Sequence, residues 1–174
     1  MEDTGRESAK FLLMSDHEQD ARPEITTETR TIRREYPDRP IVGVGGVVVR
    51  DGCVVLVRRA NPPRIGEWSI PGGMLELGET LRAGVAREIE EETGLKVKSE
   101  TVLDVFDSIV TDAEGKTQYH YVLVDYLCSV LGGELRAATD VSAVRWATLD
   151  EVVSLVKREM TVGVIRKGLD EAQR

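Results

Sequence analysis

The chain has 174 residues, 41% hydrophobic and 31% charged, with a formal net charge of -8. That length suits one domain with its own core. The negative balance repels a nucleic-acid polymer overall. No apolar run is long enough for a bilayer, and the acidic N-terminus lacks the basic and apolar parts of a signal peptide, so a cytoplasmic protein without a membrane partner is expected.

Residues 1 to about 35 are polar with little apolar periodicity, and read as a tether or arm before the domain. Order begins near Pro40. IVGVGGVVVR, the pair Asp51-Gly52 and CVVLVRR read as a β-hairpin, because Asp-Gly suits a type I′ turn. The fragment GVGG is a weak dinucleotide signal, since a strand and not a helix follows it. Cys53 and Cys128 lie in apolar, strand-like runs and read as small core residues. His17 and His120 are too few for a His-rich zinc site.

Asn61-Pro62-Pro63 forces a loop, and EWSIP resumes an extended segment. A helix fits Thr80 to Thr93, with Gly94 as its terminator. KSETVLDVFDSIV and YHYVLVDYLCSV follow as strands joined by a turn at AEGK, and AVRWA is a short strand. Thr148 and Glu151 form a capping box for a second helix, whose apolar positions are Leu149, Val152, Val153 and Val156. VGVIRKGLDEAQR adds a short helix. Strands and helices do not alternate as βαβ units, so the fold class is α+β, helices on a mixed sheet.

The first helix carries an unfavourable charge pattern. Glu88, Glu91 and Glu92 share one face at i, i+3 and i+4. Each such like-charge pair costs about 0.2–0.5 kcal/mol in an isolated helix. They also crowd its C-terminal end, where the macrodipole is already negative. A bound cation is one explanation, and three carboxylates are hard oxygen ligands suited to magnesium or manganese. A solvated acidic helix end is the other. Arg87 can pair with Glu91 at i+4 or reach back to Glu79. Gly84 costs about 1 kcal/mol in helix propensity and lies where it lets the preceding loop backbone approach. Val85 and Ile89 lie beside the acidic face and can anchor the helix to the sheet.

Gly73, five residues, Glu79, seven residues and then Arg87-Glu88-Ile89-Glu90-Glu91-Glu92-Thr93-Gly94-Leu95 resembles the Nudix box in full, over 23 residues. The flanking pattern resembles a Nudix domain over residues 36–174, with residues 1–35 outside it as an extension that is disordered or binds a partner. The resemblance implies an αβα sandwich. It also implies a hydrolase in which water attacks phosphorus with Mg2+ or Mn2+ assisting. Glu88, Glu91 and Glu92 would be metal ligands, joined by a backbone carbonyl at Gly72 or Gly73. Arg87 and Glu79 would be supporting residues, and a box glutamate or a loop acid would take the proton. Asp140 is the best match for that acid, although relatives often carry Glu there; as an alternative it is a turn or cap residue.

Arg58, Arg59 and Arg64 flank the loop before the box and could bind phosphate. Strand alternation points only one of Arg58 and Arg59 inward. Trp68, Tyr119 and Tyr121 could stack on a base, or pack in the core. PIVGVGGVVVRDG and NPPRIGEWSIPGG resemble the ADP-ribose pyrophosphatase branch, while no proline follows Pro71 as in some of its members. The implied substrate is a small nucleotide, ADP-ribose or a related nucleoside diphosphate derivative, giving AMP and ribose 5-phosphate from ADP-ribose. The alternatives are hydrolysis of (oxidised) nucleoside triphosphates to monophosphate and pyrophosphate, and a nucleotide sensor that does not cut. A homodimer is expected from the same branch.

Overall fold

The computed structural model describes residues 33–61, 64–138 and 140–174. The expectations for residues 1–32, for His17 and for Pro62-Pro63 lie outside the described residues. Among these, seven strands form one mixed sheet: β1 (Ile41–Arg50), β2 (Cys53–Arg59), β3 (Trp68–Ser69), β4 (Gly72–Met74), β5 (Leu95–Thr111), β6 (Thr117–Gly133) and β7 (Val141–Ala147). The helices are α1 (Leu81–Thr93), α2 (Leu149–Leu155) and α3 (Glu159–Ala172). No described helix is long and apolar enough to cross a membrane.

The main path of the sheet is β3-β2-β1-β6-β5, with β7 on β2 and β4 on β1. β1 and β6 run parallel and the other pairs antiparallel. Asp51 (φ 51°) and Gly52 (φ 74°) both take the left-handed conformation that a type I′ turn demands, so the β1–β2 hairpin forms as its sequence predicts.

β1 is buried nearly throughout because helices cover both of its faces. One layer packs Val44, Val48 and Val55 against Val85 and Ile89 of α1. The other packs Val47, Val54 and Leu56 against Val152 of α2 and Val164, Ile165 and Leu169 of α3. This is the α+β sandwich expected, with Val85 and Ile89 fully buried as the anchors of α1. Cys128 is a core residue whose thiol burial pushes up to about 12, whereas Cys53 is only half-buried.

Several boundaries differ from the sequence reading; β7 starts two residues before AVRWA, at Val141, and EWSIP is strand only at Trp68–Ser69. β4 has only Gly-Gly-Met and no apolar alternation, so it was legible only as the lead-in to α1; its pairing with β1 makes it a strand. The long hairpin strands extend beyond their apolar runs, to Leu95–Thr111 and Thr117–Gly133, because each has the other as a ladder partner. α3 begins at Glu159 rather than near Val162, since no side chain caps it and no sequence signal marks its start. In α2 the capping box is present with both bonds, while Val153 points to solvent.

Candidate active site

β1 pairs with β2 at Val49 and Arg50, and with β4 at Gly43, Val44 and Gly45. At this split lies a cavity of about 1130 Å³. Its lining includes the segment Ile70–Leu77, which contains β4, the acidic face of α1, Arg59, Arg64 and Asp140, and residues of β5, β6 and α3.

Helix α1 carries the acids to this cavity. Thr80 caps its start, accepting the Ala83 N–H at 3.2 Å, and Gly94 ends it in the left-handed conformation (φ 72°). No basic residue stands in the last turn. Instead, backbone N–H groups of the β6–β7 loop approach the terminal carbonyls: Arg136 donates to Thr93 O at 2.9 Å and Ala138 to Glu92 O at 3.3 Å. That loop ends at Asp140, so the cap also brings Asp140 to the cavity.

The carboxylates are held individually. Gly72 N–H donates to Glu92 Oε2 at 2.9 Å. Glu88 lies so close over Gly73 that a Cβ there would strike its carboxylate. Burial is the main cause raising the Glu88 carboxyl above its ordinary value, against the lowering effect of Arg87. Burial pushes Glu92 up to about 7, with Glu88 and Asp140 adding to the rise and Gly72 N–H and Arg59 opposing it.

Arg87 organises the other side. It donates from Nε to Glu79 Oε1 at 2.9 Å and from Nη2 to Glu79 Oε2 at 3.0 Å, and also to Glu88 Oε1, Glu91 Oε2 and Met74 O. These bonds hold the Glu79 carboxyl below its ordinary value. Both partners anticipated for Arg87 are therefore engaged at once. Gly84 makes room for side chains of the loop and not its backbone: a Cβ would lie 2.9 Å from Glu79 Oε2 and from Leu75 Cδ1.

The family model for the NUDIX domain matches residues 39–167. The chain belongs to the Nudix hydrolase family. The "ADP-ribose pyrophosphatase" of Methanocaldococcus jannaschii is 36% identical over 116 residues, 67% of this chain and 66% of that one. A Mycobacterium tuberculosis protein provisionally named 8-oxo-dGTP diphosphatase 2 is 45% identical over 112 residues, 63% of this chain and 74% of that one. The match to the first of these spans just under two thirds of the relative's own length. The crystal structure of a MutT NUDIX hydrolase from Burkholderia pseudomallei superposes with a TM-score of 0.63 at 33% identity, covering 75% of this chain and 98% of that one.

Nudix hydrolases generally use divalent metals, and the donor chemistry here fits one. Glu88 and Glu92 are crowded, partly desolvated carboxylates beside the Gly72–Gly73 backbone, and Glu91 adjoins them. Among the described residues no three His, Cys, Asp or Glu groups already converge as a metal cage. Arg87 draws Glu88 Oε1 and Glu91 Oε2 toward itself, so a cation would compete with its guanidinium.

The other anticipated residues divide. Arg59, Arg64, Tyr119 and Tyr121 line the cavity of this Nudix domain. The Nε of Arg59 is buried without a hydrogen-bond partner among the described residues. Arg58 and Trp68 are not in the lining. Alternation turns Arg58 outward, where its Nε donates to Gly66 O at 3.0 Å, and Trp68 packs on the cluster beneath α2 and α3. Sequence reasoning missed Arg34, Ser108, Asp125, Arg158 and Thr161, which also line the cavity. Asp125 had a usable signal, an acid within an apolar strand run; the others had none.

Proposed function

We propose that this Nudix protein hydrolyses the pyrophosphate bond of a nucleoside diphosphate derivative, taking ADP-ribose and water to AMP and ribose 5-phosphate. The observation that carries the reading is one cavity that sets the α1 carboxylates, packed on Gly72 and Gly73, together with Arg59, whose buried Nε–H has no partner among the described residues. A buried donor without a partner costs free energy that an anionic ligand removes. The 36% identity to an ADP-ribose pyrophosphatase supports the choice of substrate.

Glu88, Glu91 and Glu92, with a carbonyl at Gly72 or Gly73, would hold Mg2+ or Mn2+. Such an ion, when bound, neutralises diphosphate charge and makes water a better nucleophile. Arg59 and Arg64 bind phosphate oxygens. Arg87 and Glu79 keep the acidic face in position. A carboxylate of the cluster, Glu92 or Asp140, accepts the proton of the attacking water; the bridging P–O bond breaks and its oxygen leaves with the electron pair. The catalytic unit is residues 36–174, a boundary that the family match over 39–167 supports. A cytoplasmic location and, by resemblance to the ADP-ribose branch, a homodimer complete the proposal.

The second reading is hydrolysis of an oxidised nucleoside triphosphate, favoured by the 45% identity to the diphosphatase relative. The test is incubation with ADP-ribose or 8-oxo-dGTP and Mg2+ or Mn2+, with products identified by mass spectrometry. AMP and ribose 5-phosphate support the first reading; 8-oxo-dGMP and pyrophosphate support the second. Binding of ADP-ribose without any product would reveal a sensor and refute both.

A further inference from the structure

Asp125 lies within β6, in register with Gly45 of β1 on one side and Asp104 of β5 on the other. Its neighbours Val124 and Tyr126 belong to the cluster beneath α1, so alternation turns Asp125 toward the α3 layer. There it lines the cavity with Arg158 and Thr161. Asp125 is only 5% exposed. Gly45 is what makes room for it, because a Cβ at that position would collide with its Oδ1.

No described group donates a hydrogen bond to this carboxylate. Burial and the negative charge of Asp104 push it up to about 6, and Arg158 opposes them only as a charge at a distance. Asp104 is itself occupied by Lys167, whose Nζ donates to its Oδ2 at 2.6 Å. A carboxylate sealed from water without donors is strongly unfavourable, which is why buried carboxylates otherwise find partners. The open side of Asp125 is the cavity, where water meets the carboxylate until a ligand fills the space and must supply a donor in its place. A second metal site is a poor account: one carboxylate facing a half-buried arginine lacks the oxygen ligands that a hard cation needs.

We propose that Asp125 is a specificity-determining residue, accepting hydrogen bonds from a neutral N–H or O–H donor on the organic part of the nucleotide substrate. This rests on the hydrolase reading for the identity of the substrate and adds how the organic part is chosen. Within ADP-ribose the donor has three sources, the adenine amine, the hydroxyls of the adenosine ribose and the hydroxyls of the terminal ribose. A substrate without it leaves the carboxylate buried and unpaired, which is the physical basis of strong discrimination.

The test compares ADP-ribose with three analogues: the purine-riboside analogue, in which hydrogen replaces the amine, the analogue with a 2′-deoxyadenosine half, and ADP-2-deoxyribose, in which one terminal-ribose hydroxyl is absent. Both kcat/KM and the dissociation constant are measured on the full chain. For the native protein one analogue is disfavoured by on the order of tenfold or more, and which one identifies the source. Asp125→Ala abolishes that preference, and Asp125→Asn, which keeps an acceptor oxygen, restores part of it. Equal preference in the native chain and Asp125→Ala overturns the inference, provided both melt cooperatively; if Asp125→Ala does not fold, an Asp125→Asn variant indistinguishable from the native chain overturns it. If the native chain hydrolyses none of the compounds, the function reading fails, and the dissociation constants still decide the role of Asp125. Absence of binding to all of them sinks both.

Discussion

Arg87 and Glu79 are joined by two parallel hydrogen bonds, Nε to Oε1 at 2.9 Å and Nη2 to Oε2 at 3.0 Å. The pair fastens the loop before α1 to the helix itself, while the third guanidinium nitrogen holds Glu88 and Glu91. A lysine has no planar fork and cannot make both sets of bonds. Arg87→Lys is expected to lower kcat/KM by on the order of tenfold to a hundredfold while leaving a folded protein. A double-mutant cycle with Glu79→Gln should show strong coupling; additive losses would contradict a shared positioning role.

Arg58 and Arg59 are adjacent but face apart. Arg59→Ala should raise KM by about tenfold, on the scale of a lost charge-assisted hydrogen bond. Arg58→Ala should leave kinetics within about twofold, because it loses only an exposed bond to Gly66. Steady-state kinetics of the two variants, measured together, settle which arginine meets the substrate.

Glu92→Gln should reduce turnover by roughly a hundredfold or more, as loss of a charged group at the reacting centre does. Folding should survive, since Gln retains an oxygen for the Gly72 N–H. Differential scanning fluorimetry gives a readout apart from activity. Mg2+ or Mn2+ should raise the Tm of the native chain at pH 7.5, and less so that of Glu92→Gln. An equal rise in both would remove Glu92 from the ligand set.

The raised carboxyls dictate a pH profile for the chelator-treated protein. Glu92 moves from 4.5 to about 7 and Asp125 from 3.8 to about 6. Both pKa values are higher in the folded state, so the folded chain holds more protons between those limits. The stability from these groups is complete below about pH 4 and is lost as pH rises through 6 and 7, by on the order of 3 kcal/mol for each group. Urea titrations from pH 4 to 8 should show this decline, and Glu92→Gln and Asp125→Asn should each flatten it. A stability that rises through this window would refute the assignment.

Glycines set the spacing of both helix layers. A Cβ at Gly46 would lie 2.5 Å from Ile89 Cδ1, and one at Gly168 would lie 2.6 Å from Val47 Cγ1. Gly46→Ala and Gly168→Ala are expected to cost about 1–3 kcal/mol each in chemical denaturation. Gly46→Ala should also depress activity more than Gly168→Ala, because it displaces the helix that carries Glu88 and Glu92. Equal effects on kcat would mean that α1 absorbs the change locally.

The amino-acid sequence by itself determined the local elements and the chemistry of α1. Asp51-Gly52 specifies its turn, Thr80 and Gly94 bound the helix, and the period of Glu88, Glu91 and Glu92 puts them on one face, because each of these depends on spacing within a few residues. Tertiary structure decided what depends on partners far along the chain. β4 is a strand only because β1 lies beside it, and Arg59 rather than Arg58 reaches the cavity through the alternation of β2. Asp140 arrives through the loop that caps α1. Asp125 reads locally as one acid in an apolar strand; it becomes a site residue because Gly45, in the parallel neighbour β1, leaves the space into which its carboxylate fits.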